Sequence, residues 1–193
     1  MGLLYACGTS PKKDKEGYTR WAEKDNGALR KTRVINHISY SLQYITCEYQ
    51  AIKNAKLNNQ LNDSLLKEQI KTCKNNHGQY SFVMVIAPED KATDLIGAHA
   101  TSEQEALAIK NYLQFEIGAD LKMSTDLGDV PCSMVYYEEM YGLSPNHTFN
   151  ILFDCPQRTG DKVKISFYDR VFGGGIMNFT FSLNTIENTT LVI

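Results

Sequence analysis

The chain of 193 residues contains no run of eighteen apolar side chains, so no segment reads as a membrane-spanning helix. It has no charge surplus either: 20 lysines and arginines stand against 22 aspartates and glutamates, a formal charge of -2. Phosphate backbones require a clustered positive excess, and the composition gives no electrostatic case for nucleic acid as a partner. Arg30, Lys31 and Arg33 form the one basic knot, which reads as a solvated surface beside Glu23 and Asp25. Apolar content of 42% and charged content of 22% are ordinary for a globular domain.

A catalytic constellation is also lacking. Gly173, Gly174 and Gly175 suggest a phosphate loop, but such loops lead into a helix, and here a strand follows; a hairpin turn fits better. Glu138 and Glu139 are neighbours on a strand and face opposite sides, so they cannot share one substrate bond. Cys73 and His77 have zinc-ligand spacing, yet no second pair accompanies them; Cys73 reads as a buried thiol and no metal site is assigned. No cofactor motif is found. The nearest approach to a nucleophile and base is Cys47, close to a helix N-terminus, with His37 on the preceding strand or His99 further on.

What is present is a set of clear periodicities. Val163, Ile165, Phe167, Asp169 and Val171 alternate with polar residues, and so do Met177, Phe179, Phe181 and Leu183; with the glycines between them they predict a long β-hairpin. Strands are also predicted for Val34 to Ile45, Tyr80 to Ala87, Cys132 to Tyr141 and Thr148 to Asp154. Helices follow Thr46, Asn62 or Asp63, and Thr101, the last signalled by a capping box with Gln104. The fold expected is α+β: a mainly antiparallel sheet of about six strands, ending in a four-strand C-terminal meander, with about three helices packed on it.

At the start, Leu4, Tyr5, Ala6, Cys7 and Gly8 resemble a bacterial lipobox, and residues 9 to 17 are polar and charged, as in a tether. The Asn-, Lys- and Tyr-rich texture, with Ile38-Ser-Tyr-Ser-Leu-Gln-Tyr44, is similar to that of uncharacterised Bacteroidota envelope lipoproteins. The resemblance implies that residues 1–6 are the remnant of a signal peptide and that Cys7 carries lipid. Residues 7–32 then form the attachment and flexible tether, and 33–193 a single α+β domain. It further implies membrane contact through the N-terminal lipid, an outer-membrane or cell-envelope location, an envelope protein as partner, and O-glycosylation at Ser64 within Asp63-Ser64-Leu65.

With Cys7 reserved for lipid, Cys47, Cys73, Cys132 and Cys155 leave one or two disulfides open, Cys132–Cys155 among them if they end adjacent antiparallel strands. The function expected is a non-catalytic binding or accessory subunit. The alternatives are an exported hydrolase using Cys47, His37 or His99, and a small-ligand carrier.

Overall fold

A computed structural model describes residues 11–59, 62–76, 78–138, 144–156 and 160–193. Cys7, His77 and Glu139 lie outside the described residues. In chain order the elements are β1 (Lys12–Lys13), α1 (Lys15–Glu23), β2 (Arg30–Ile35), β3 (Ile38–Ile45), α2 (Cys47–Leu57), α3 (Asp63–Lys74) and β4 (Gln79–Pro88). Then come α4 (Leu95–His99), α5 (Glu103–Asn111), a π turn (Tyr112–Glu116), a 3-10 turn (Ile117–Asp120), β5 (Leu121–Thr125), β6 (Gly128–Pro131) and β7 (Met134–Glu138). The chain finishes with β8 (His147–Asp154), β9 (Lys162–Asp169), β10 (Gly175–Ser182), α6 (Leu183–Glu187) and β11 (Thr190–Leu191).

The class is α+β and the pairing mainly antiparallel. The strands, however, form two facing sheets where a single sheet of six was expected. One has the order β2-β3-β4-β8-β7 and the other β10-β9-β5-β6, with a small parallel ribbon of β1 and β11 beside them. This corrects the four-strand meander: β7 pairs with β8 and β9 with β10, but β8 goes on to β4 and β9 to β5. A residue pattern of period two buries one face in either arrangement, so the pattern itself does not choose the neighbour.

The inward rows interlock. Tyr40, Leu42, Phe82, Met84, Phe149 and Phe153 of the larger sheet meet Ile165, Phe167, Met177, Phe179 and Phe181 of the smaller, all at 3% exposure or less. Phe82 and Phe181 pack with ring centroids 5.4 Å apart across the gap.

Three local signals resolve differently from expectation. The strand predicted over Val34 to Ile45 is a hairpin: Asn36 and His37 both take positive φ (51° and 61°), the two-residue type I′ geometry, and Ile35 faces Ile38. The cap of α5 falls one residue later, where Ser102 accepts from the Glu105 N–H and the Glu105 carboxylate reaches back to Thr101. The tether expected over residues 7–32 is folded from Lys12 onward, because Asp14 caps α1 and Tyr18 and Ala22, four apart, bury completely on one helical face. Trp21 packs edge-on against Tyr18.

Helices α1, α2, α3 and α6 lie where β3 and β10 end and β2 and β4 begin, closing that end of the sandwich. Thr46 caps α2 and Asn62 caps α3, as their sequence implies.

Candidate functional site

The four cysteines divide into a bridge and two thiols. Cys47, the first residue of α2, is joined by a disulfide to Cys73 in the last turn of α3. This corrects both the nucleophile considered at Cys47 and the buried thiol expected at Cys73. Cys132 and Cys155 do not form the bridge considered for them. Met134 pairs with Leu152, so extending the register sets Cys132 opposite Asp154, while Cys155 falls one residue further, on the other face. The Cys132 thiol points at the carbonyls of Met134 and Leu152, and burial pushes its pKa up.

His37 and His99 do come together. They line one cleft of about 300 Å³ with Glu89 and Asp90, at the opposite end of β3 from Cys47. His37 sits in the hairpin turn with its side chain 95% exposed and its Nδ1 3.1 Å from Glu89 Oε2. His99 donates from Nδ1 to the carbonyl of Leu95 at 2.8 Å. The Thr93 hydroxyl and the N–H groups of Ala92 and Thr93 hold the Asp90 carboxyl down to about 2. Among the described residues no group of three histidine, cysteine or acidic side chains is positioned to hold a metal. The cleft therefore offers imidazole and carboxylate, and the one cysteine weighed as their nucleophile is bonded elsewhere. Ser64 lies exposed on the first turn of α3, with its N–H held by Asn62.

Two buried polar groups that sequence reasoning did not single out organise this end. His147 is 7% exposed and stacks on Phe172 at 5.8 Å, and its Nδ1 lies 2.8 Å from the Tyr137 hydroxyl. Its Nε2 has no hydrogen-bond partner among the described residues, and burial pushes its pKa below the ordinary 6.5. The alternation through Phe149, Ile151 and Phe153 already places His147 on the inner face of β8, the one signal that marks it.

The second group is Asp169, 3% exposed, which accepts from the N–H groups of Val171, Phe172 and Gly174 and from the Tyr40 hydroxyl at 2.6 Å. The glycine-rich loop does cradle an anion, and that anion is the protein's own carboxylate. Gly173 and Gly175 supply positive φ, and a Cβ on Gly174 would stand 2.7 Å from the Tyr40 hydroxyl.

The sheets differ on their outer faces. That of β9, β10 and β5 carries Lys122, Lys162 and Lys164 among hydroxyls and amides, with the facing pair Tyr168 and Ile176 exposed at the hairpin end. That of the five-stranded sheet shows Val83, Val85, Asn150 and Leu152 on β4 and β8 and Met134 and Tyr136 on the edge strand β7, with charge at Arg30, Glu138 and Asp154. Arg30 is paired with Asp25, and Glu138 accepts from Asn150. On the β2 and β3 side the face is covered: Gln43 donates to the Ala22 carbonyl, and Ser41 and Gln43 are buried. On the β8 and β7 side it lies open, with Met134 57% and Tyr136 62% exposed.

No family model and no curated protein matches this chain. Among solved structures it is similar to the crystal structure of a DUF4426 family protein from Pseudomonas aeruginosa, at 9% identity over 79% of this chain and 90% of that one, with a TM-score of 0.37. A likeness so remote bears on neither activity nor partner.

Proposed function

We propose that this chain is a non-catalytic lipoprotein of a bacterial outer membrane or cell envelope, acylated at Cys7, whose domain binds an envelope protein through the open face of β4, β8 and β7. The observation that carries the binding part is that face: uncharged in its middle, with Met134 and Tyr136 exposed, against a lysine-bearing face on the other sheet. Interface cores are depleted of charge and enriched in tyrosine and methionine, whereas a face meant only for water keeps its lysines. The export part draws support from the Cys47–Cys73 bridge, a bond that persists in oxidising compartments.

Two measurements test the reading. Expression from the complete gene in a bacterial host with labelled palmitate gives a labelled band that Cys7→Ala abolishes; a label that survives the substitution ends the acylation claim. A photo-crosslinking residue at position 136 captures an envelope protein in the native host, while one at Tyr168, on the opposite sheet, does not. Equal capture from both positions ends the claim about the face.

A further inference from the structure

The helical end of the sandwich carries a second surface, of a different character. A groove of about 440 Å³ runs between α3 and β11, with Ile70, Leu191 and Ile193 in its floor and Lys67, Lys71 and Lys74 along one wall. Lys74 is engaged by Glu48. Lys67 and Lys71, four apart and therefore on one side of the helix, make no ion pair within 4 Å among the described residues, although Lys67 acts on the Asp63 carboxylate one turn earlier. Asp63, the nearest acid at the start of α3, is bonded to Lys15. Glu68 projects about 100° from Lys67 and about 60° from Lys71 around the helix. Next to the groove, β1 pairs in parallel with β11 and brings exposed Lys12 to the same end, and Val192 stands 52% exposed beside it.

We infer that this face, Lys12, Lys67 and Lys71 around Ile70, Val192 and Ile193, docks on an anionic bilayer. The ammonium groups meet headgroup phosphates, and the apolar side chains enter the interfacial layer, the pairing of basic rim and apolar centre that such surfaces require. The choice of a bilayer over a free anion rests on the reading of Cys7 above and on chain length. Lys12 is pinned to Thr190, and five residues extend no more than about 18 Å, so a lipid on Cys7 keeps this end of the molecule at the membrane. The open face of β7 and β8 lies on the outer surface of the five-stranded sheet, at the edge opposite β2.

The test uses the full chain with Cys7→Ala, so that no acyl group contributes, and vesicles of phosphatidylcholine with or without phosphatidylglycerol, read by co-sedimentation at low ionic strength. The protein partitions onto the anionic vesicles and not the neutral ones, and added salt releases it. Lys67→Gln with Lys71→Gln lowers the partition coefficient about thirty-fold, since each surface lysine contributes roughly 1 kcal/mol. The control, Lys91→Gln with Lys110→Gln, beyond the end of β4 and on α5, removes the same charge and leaves binding within about twofold, because those lysines lie at the other end of the strands. Absence of binding by the parent chain, or an equal loss in both double variants, overturns the inference. The palmitate experiment fails or succeeds separately, because the chain used here carries no lipid.

Discussion

His147 shows what a single buried group imposes on the protein. Its imidazole is enclosed among Phe172, Tyr137 and Phe149, and of the charged groups near it Asp94 alone opposes the effect of burial. The folded pKa therefore lies below 6.5, the value near which the unfolded chain titrates. As pH falls through 6.5 the unfolded chain takes up a proton that the folded one does not. Stability contributed by the neutral residue is then complete above that pH and declines below it, by up to about 1.4 kcal/mol per pH unit. Urea midpoints fall between pH 7.5 and 5.5, and His147→Phe, which cannot titrate, reduces the difference. An unchanged slope in the variant assigns the effect to other groups. His147 lies one residue before the strand read from the sequence, in phase with its inward row; its partner Tyr137 was not legible, because the strand pairing that joins them is non-local.

At the scale of elements, the α2–α3 pair depends on its bridge. Cys47 and Cys73 are 26 positions apart, and closing a loop of that length in the unfolded chain stabilises the native state by roughly 3.5 kcal/mol. Replacing both with serine lowers the urea-derived unfolding free energy by about that amount. The loss concentrates in faster amide exchange within α3, where Leu66 is the one fully buried side chain. A loss under about 1 kcal/mol would show that packing of Ala51, Ala55 and Leu66 suffices alone. Both helices were readable from their caps and stripes. Their disulfide was not, since spacing leaves three pairings of four cysteines open and only helix packing selects one. Helix α1 was missed because a short polar segment with Tyr18, Trp21 and Ala22 as its apolar content has too little stripe to nucleate alone; it forms because Tyr49 and Ile52 of α2 complete its buried side.

Across the whole molecule, the two sheets are joined by apolar packing and by polar links that include Asn36 of the β2–β3 turn donating to the Gly173 carbonyl and the Tyr40 hydroxyl of β3 donating to Asp169 of β9. Burial, then the neighbouring carboxylate, pushes the Tyr40 hydroxyl well above its usual range, so it remains a donor. Asp169→Asn places an amide where three backbone N–H groups and a hydroxyl point, and costs about 3 kcal/mol in chemical denaturation, whereas Tyr40→Phe, which removes one bond, costs about half that. A neutral result for Asp169→Asn would show that the carboxylate does not organise the glycine loop.

The sequence by itself determined the types of β3, α2, α3, β4 and β7 to β10, the inward rows of β3, β8, β9 and β10, the caps of α2 and α3, and the reversal at Gly173 to Gly175, because each is a property of adjacent residues and the periods of 2 and 3.6 are local. Only the tertiary structure decided that the strands divide between two sheets, that Cys47 meets Cys73, that His37 and His99 share a cleft at the opposite end of β3 from that bridge, and which outer face carries no lysine. Those outcomes are set by which distant surfaces bury one another, and an alternating strand buries its apolar side equally well against either neighbour.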